Sequence, residues 1–336
     1  MANNNFKAFA AAAGANVMSQ ADYEALAALL TGFVSGTAQS AQLNKVWRQS
    51  SIMSAVLAQF IVDLTGQDAI DDGTTVTLLA NLKMAVQAQS AAAVGSVRNL
   101  SMNIPSASTT ATLTADQIIV GTALGGKTFV LSNFNKTINL AATGAGGMDT
   151  GSAPSGGVVG IYAIYNPTTG AQALLAVNGN SVVLPSVYGG SNMPTGYVAS
   201  ALVSVRVLNA SSQFLPGVQY DRRVWFQTIT SASVTSQVAS LTALSIAVPA
   251  SAKVWYGWAS INTTASVNAQ VNVAADANST GNQQVAGGVS TTGSGSTNGG
   301  ALGPVPILTP QTVYWSAFLS SGTFTSAKLF TSGYEF

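Results

Sequence analysis

The sequence predicts an α+β multidomain protein, in which an N-terminal α-helical region precedes two mainly-β, sandwich-like domains. Three observations support this prediction. A helical apolar pattern occupies residues 41–64, short alternating apolar runs fill the chain after residue 100, and only 7% of the 336 residues are charged. The predicted domains are residues 1–100, 101–225 and 226–336.

The strongest helical signal is a row of apolar residues spaced alternately by three and four positions, the a/d pattern of packed helices. A serine, Ser50, interrupts this row. Further apolar residues such as Trp47 and Val56 widen the stripe, which favours a compact helical bundle over a long stalk. The members of this row, called the seam below, are Leu43, Val46, Met53, Leu57, Phe60 and Leu64.

Two further helices are predicted on either side of the seam. One begins at Ser19, where Asp22 three residues on suggests a capping box, and runs to Leu30. The other begins near Thr74. The acidic turn at residues 67–73 lacks the alternating ligands and terminal Glu of a calcium-binding EF-hand. We therefore interpret its aspartates as caps of the next helix.

The chain beyond the helices is predicted to be built from strands. Residues 101–110 are predicted to be a linker, and residues 287–303, rich in Gly and Ser, a long exposed loop. In residues 254–261 both alternating faces are apolar, so both faces are buried or one meets a partner. Other strand candidates are residues 117–120, 128–132, 137–141, 158–165, 171–177, 198–207, 244–248, 267–273, 311–319 and 323–330.

Composition argues against several functional classes. The chain has no His and no Cys, which removes His-based catalysis, thiolate chemistry and the commonest metal ligands. A net charge of +1 provides no field for nucleic acid or anionic lipid, and no apolar run is long enough for membrane insertion. We expect no cofactor, no metal site and no enzymatic reaction.

Two groups of residues in the β-rich part are candidate functional residues. Aromatic rings combined with neutral amides and hydroxyls suit a receptor such as a sugar, because this recognition needs no ionised group. The only charged cluster of this part, Asp221, Arg222 and Arg223, is interpreted as an inter-chain ion-pair cluster at the junction of the two β-domains. The receptor-contact candidates are Trp255, Tyr256, Trp258, Tyr314 and Trp315.

Several long segments resemble the tail proteins of tailed bacteriophages and prophages. They are residues 4–61 (beginning NNFKAFAAAAGANVMSQADYEALAALL), 131–151 (LSNFNKTINLAATGAGGMDTG), 162–176 (YAIYNPTTGAQALLA) and 192–205 (NMPTGYVASALVSV). The resemblance covers residues 4–225, and the last part of the chain matches no known pattern. It implies a tail fibre or baseplate-associated protein of the virion, made in the host cytoplasm and assembled as a homotrimer.

On this reading, the helical region attaches to other tail or baseplate proteins, and residues 226–336 form a tip that meets a host glycan or outer-membrane protein. Two alternatives stay open. The distal domain could dock another virion protein, as in a baseplate or tail-tip adaptor. The chain could also be a capsule or lipopolysaccharide depolymerase, which requires a pair of carboxylates. The β-rich part offers Asp116, Asp149, Asp221, Asp276 and Glu335 for such a pair.

Overall fold

The computed structural model describes residues 2–36, 39–88, 93–287 and 295–336. The chain divides into two compact units, Met1–Ala91 and Ala92–Phe336. The first is a short helical unit, and the second is built from two antiparallel sheets, which confirms the mainly-β part of the predicted fold class. Among the described residues, no helix is both long and apolar enough to cross a membrane.

The helical unit contains four helices in its described residues. The predicted helix from Ser19 begins as expected, with the Ser19 side chain accepting the backbone N–H of Asp22. It then breaks into two short pieces, and neither piece buries a residue that could hold a longer helix together. The helices are α1 (Gln20–Glu24), α2 (Ala28–Thr31), α3 (Ser40–Thr65) and α4 (Val76–Ala88).

The C-terminal end of α3 follows a local sequence signal. Helix α3 stops at Gly66, whose φ of 68° is left-handed and suits glycine. In the acidic turn, Asp72 accepts hydrogen bonds from the backbone N–H and the hydroxyl of Thr74, 2.8 Å each. Thr74 lies before α4, so these bonds close the turn, and the predicted capping of the next helix by the aspartates stays a prediction. These bonds lower the pKa of Asp72.

An N-terminal arm, residues 2–18, runs along α3 in the opposite direction. Polar contacts along its length fix it, among them those from Asn4 Nδ2 to Gln59 Oε1 (3.2 Å), from the Phe9 N–H to Ser51 Oγ (2.8 Å) and from Asn16 Nδ2 to Ser40 Oγ (3.0 Å). The Phe9 ring also meets Trp47 edge-on at 5.8 Å. One side of α3 is thereby covered by the chain's own N-terminus.

The β unit contains a large sheet and a small one, and all strand pairs are antiparallel. The strands are β1 (Val97–Arg98), β2 (Ser101–Ile104), β3 (Thr110–Gly121), β4 (Thr128–Asn139), β5 (Val158–Asn166), β6 (Ala171–Asn178), β7 (Ala199–Val207), β8 (Gly217–Tyr220), β9 (Arg223–Val234), β10 (Val238–Ser245), β11 (Val254–Val267), β12 (Ala269–Ala274), β13 (Gln283–Gly287), β14 (Gly295–Pro306), β15 (Thr312–Phe318) and β16 (Ser321–Glu335).

The large sheet has the order β14-β11-β16-β9-β8-β2-β3-β7-β5-β6, with β1 and β4 also paired to β3. The small sheet has the order β10-β15-β12-β13. The predicted domain boundary at residue 225 lies inside β9, which pairs with β8 on one side and β16 on the other. The large sheet therefore continues through both predicted β-domains.

Two segments predicted to be irregular are strands. Part of the predicted linker at residues 101–110 is β2, which pairs with β3 and β8. The predicted loop at residues 287–303 includes β14 from Gly295 onward, while 288–294 lie outside the described residues. Pairing with the long strand β11 satisfies the backbone of β14, so tertiary pairing outweighs the poor strand propensity of its glycines.

Three apolar clusters stabilise the β unit. Strand β5 is buried on both faces, which explains its nearly continuous apolar sequence. Val159 and Ile161 pack into one cluster, and Tyr162 and Ile164 into another on the opposite face. A third cluster lies between the small sheet and the β11–β14–β16 part of the large sheet.

A buried guanidinium interrupts this apolar interior. Arg206 on β7 is 1% exposed, and its Nη1 has no hydrogen-bond partner. Its Nη2 lies 3.5 Å from the Leu215 carbonyl oxygen. Burial lowers the pKa of Arg206, and the nearby phenol of Tyr334 donates instead to the Val205 carbonyl. The positive charge thus lacks the compensation that buried charges normally have.

We predict that Arg206→Met stabilises the β unit, because an apolar side chain of similar length removes a buried charge without a partner. The expected gain in the free energy of unfolding is about 1–4 kcal/mol, measured by urea titration. Arg98→Met, at an exposed arginine of β1, is the control and should change little. A loss of stability in Arg206→Met would show that the charge is compensated.

Candidate functional site

Aromatic side chains form a patch on the outer face of the large sheet. Trp225 lies on β9, Tyr256 and Trp258 lie two residues apart on β11, and Phe330 on β16 is directly opposite Trp258. Alternate residues of a strand share one face, so Tyr256 and Trp258 point the same way. These four residues are called the aromatic patch below.

Trp258 and Phe330 form the most accessible part of the patch. Their rings stack with centroids 4.1 Å apart at an interplanar angle of 11°. Trp258 remains 38% exposed although it belongs to a strand inside the sheet. A flat, partly exposed pair of rings on a rigid strand is a platform for an apolar or sugar surface.

The other half of the patch is held by one ion pair. Arg223 Nη2 lies 3.2 Å from Glu335 Oε2, which also accepts a 3.2 Å hydrogen bond from the Tyr256 hydroxyl. The guanidinium sits 4.8 Å from the Tyr256 ring centroid, and the Trp225 and Tyr256 rings are 5.0 Å apart. Burial raises the pKa of Tyr256; the Arg223 guanidinium opposes this effect and the carboxylate of Glu335 adds to it. The phenol therefore stays a neutral donor at physiological pH.

The predicted cluster of Asp221, Arg222 and Arg223 separates into three contacts within the chain. Asp221 accepts the backbone N–H of Leu100 at 3.1 Å. Arg222 donates to the Gly95 carbonyl at 2.8 Å and lies 5.2 Å from the Phe336 ring. Only Arg223 forms an ion pair within the described residues, and its partner is Glu335. The predicted inter-chain ion pairing stays a prediction.

The five receptor-contact candidates differ in how accessible their rings are. Trp255 is fully buried and donates from Nε1 to Thr331 Oγ1 at 2.8 Å. Trp315 is 4% exposed and packs in the same core cluster. Both therefore lack the accessible ring face that receptor contact requires. Tyr314 is half-buried on the small sheet, while Tyr256 and Trp258 belong to the aromatic patch.

Sequence analysis did not identify Trp225 and Phe330 as members of this patch. Trp225 follows the charged cluster of Asp221, Arg222 and Arg223, and Phe330 lies at the end of a predicted strand. Register alone places Phe330 opposite Trp258, and nothing local in the sequence shows which strands are neighbours.

A polar row continues the aromatic patch along the same face of β11. Asn262 Nδ2 donates to Ser326 Oγ at 2.9 Å, and Asn262 Oδ1 accepts the Thr297 hydroxyl at 2.6 Å. The exposed side chain of Lys328 lies between this row and Phe330 on β16. Aromatic rings followed by fixed amides and hydroxyls match the chemistry of a sugar-binding surface.

The helical unit presents a second candidate surface, along the seam of α3. Leu43, Val46, Phe60 and Leu64 are half-buried, whereas Met53 is 59% and Leu57 48% exposed. Most of the exposed large apolar side chains in the described residues lie in this unit, which holds little more than a quarter of the chain. In the single chain, Met53 and Leu57 thus keep about half of their surface exposed, which is typical of an interaction surface.

The carboxylates of the β unit have structural partners. Asp116 accepts from Asn99 Nδ2 at 2.6 Å, and Asp149 from the Tyr188 hydroxyl at 2.9 Å. Asp276 accepts from the Thr280 hydroxyl at 2.8 Å within a turn. Across the described part of the chain, no group of three or more acidic residues is arranged to hold a metal ion.

Comparison with known proteins identifies no family for this chain. No family model matches it, and no curated protein matches it. A solved structure of the infectious bursal disease virus VP2 subviral particle is 12% identical, with 72% of this chain and 69% of that chain covered, at a TM-score of 0.20. The Bacillus thuringiensis insecticidal crystal protein Cry7Ca1 is 7% identical over 75% of this chain and 54% of that chain, at a TM-score of 0.17. Likenesses this distant carry no argument about fold or function.

We predict that Trp255→Ala and Trp258→Ala differ sharply in stability. Trp255→Ala empties a core position and removes one of the hydrogen bonds of Thr331, so the free energy of unfolding should fall by about 3–5 kcal/mol. Trp258→Ala removes a partly exposed ring and one stacking contact, and should cost less than about 2 kcal/mol. Urea titration of both variants measures the difference, and equal losses would contradict the assignment of Trp258 to the surface.

Proposed function

We propose that this chain is a structural component of a bacteriophage tail that attaches to the tail through its helical unit and contributes to host-surface recognition through its β unit. The observation that carries the proposal is the unequal distribution of exposed large apolar side chains between the helical unit and the β unit. Exposed large apolar residues are concentrated in the helical unit, while the β unit exposes fewer of them for its size, beside hydroxyls, amides and the aromatic patch. The sequence resemblance to phage tail proteins supplies the biological setting.

The seam supports assembly as a homotrimer. A helix of 26 residues with exposed Met53 and Leu57 at an a/d spacing gains stability when copies pack these side chains together. Burying a Leu or Met side chain contributes about 1.5–3 kcal/mol, and every copy would contribute the same surface. A symmetric assembly is the usual outcome when identical chains share such a surface.

The aromatic patch supports contact with a host glycan or outer-membrane protein. Trp258 and Phe330 offer a stacked ring platform, and Asn262 adds fixed polar groups on the same face. A net charge of +1 leaves recognition to shape and neutral hydrogen bonds rather than to long-range attraction.

A baseplate or tail-tip adaptor is a second candidate function. Exposed tryptophan at the centre of a rigid surface is also typical of protein–protein hot spots. Trp258 therefore fits a second virion protein as a partner of the distal strands. Purified protein that fails to bind the host cells, yet captures a tail protein through this surface, would favour the adaptor.

The proposal is tested by locating the chain in the particle. The particles to examine are those of the phage or prophage whose genome encodes the chain. Antibodies against the purified chain, visualised by electron microscopy on these particles, are expected to label the tail. Label on the capsid, or no label on intact particles, would refute it. Fluorescently labelled full chain should also bind the host cells, and Trp258→Ala should weaken that binding.

We predict that Met53→Asp combined with Leu57→Asp converts the assembly to single chains. Both positions are exposed in the folded chain, so the charges leave its fold intact but oppose packing between copies. Light scattering should give about three chain masses for the unchanged protein and 33.9 kDa for the variant. Gln49→Asp, at an exposed polar position of α3, is the control and should stay assembled. A mass of 33.9 kDa for the unchanged protein would contradict the trimer.

A further inference from the structure

The outer face of the small sheet contains a cleft that lies apart from the aromatic patch. Its volume is about 330 Å³, within the range of small-molecule sites. Strands β12 and β15 form its floor with Asn272 and Ser316, and β10 forms one wall with Ser240 and Leu241. The turn between β12 and β13 forms the other wall.

Polar groups on the floor of this cleft are held in place before any ligand arrives. Asn272 is 8% exposed and Ser316 2% exposed, and Asn272 Nδ2 donates to Ser316 Oγ at 3.1 Å. Asn272 Oδ1 accepts from Gln284 Nε2 at 2.9 Å. These bonds use one of the two amide protons of Asn272 and leave the Ser316 proton available, so the floor keeps donors that can face a ligand.

A second cleft of about 340 Å³ continues the first along the same face. Gln270, Gln284 and Ala286 line it. Gln284 links the two clefts, because its side-chain amide donates both to Gln270 and to Asn272. Successive outward positions of β12, Gln270 and Asn272, thus form a row of amides that suits an extended ligand.

Among the described residues, the lining of both clefts contains no charged side chain. The nearest carboxylate in the adjoining turn, Asp276, accepts hydrogen bonds from the backbone N–H groups of Asn278 and Thr280 and from the Thr280 hydroxyl. It therefore shapes the wall of the cleft instead of facing it. Phe318, Leu241 and Ala277 supply apolar surface beside the amides.

We propose that these two clefts form a binding groove for a neutral carbohydrate chain. Amides and hydroxyls match sugar hydroxyls, and the phenyl ring and aliphatic groups match the apolar faces of sugar rings. A uronate, sulfate or phosphate would be desolvated there without a cation to pair with. The inference rests on the proposed host-recognition function. It names a class of ligand for that function and a second binding site beside the aromatic patch.

The test uses the full chain on an array of neutral, uronic-acid, sulfated and phosphorylated oligosaccharides. The unchanged protein should bind members of the neutral group. Ser240→Trp, at an exposed position on the rim, should fill the cleft and reduce this binding at least tenfold. Ser245→Trp, at an exposed position of the same strand outside the cleft, is the matched control and should bind like the unchanged protein.

Three outcomes would overturn the groove: no neutral glycan bound, a preference for acidic glycans, or unchanged binding by Ser240→Trp. The proposed function fails separately. If the full chain binds the host cells and labels the tail but ignores neutral glycans, only the groove is wrong. If the chain binds neutral glycans through the cleft but is absent from phage particles, the groove stands and the tail assignment falls.

Discussion

The β unit depends on the pairing of β16, which brings the end of the chain into the middle of the large sheet. This strand pairs with β11 on one side and β9 on the other. At its end, the Tyr334 hydroxyl donates to the Val205 carbonyl at 2.6 Å in the buried interior. The last of these contacts joins residues 129 positions apart, and such long-range contacts are associated with slow folding.

The same pairing creates the aromatic patch. Phe330 meets Trp258, and Glu335 reaches Arg223 and Tyr256, only because β16 lies between β9 and β11. The small sheet covers the opposite face of these strands, so their inner residues form core and their outer residues form surface. Surface chemistry in this part of the molecule is thus a direct consequence of strand order.

Local sequence patterns predicted which helices and strands form better than they predicted which strands lie next to each other. The seam helix, the end of that helix at Gly66, and buried strands such as β5 carry periodic or capping signals, and the structure contains them. Strand β14 carries no such signal in its Gly-rich sequence. It forms a strand by pairing with β11. Trp255 and Trp258 look alike in a segment apolar on both faces, and only the packing of the small sheet decides which is core. The groove on that sheet was not predicted, since its amides are distributed over segments that only the fold brings together.

The arm along α3 covers part of the surface of that helix. Asn4, Phe9 and Asn16 are bonded to residues spread over most of the helix, so that side is already occupied by the chain itself. The arm leaves other apolar side chains of α3 accessible, among them Met53, Val56 and Leu57. The homotrimer proposed above would have to use this remaining surface. The N-terminal residues thus reduce the part of α3 that is free to pack against another chain.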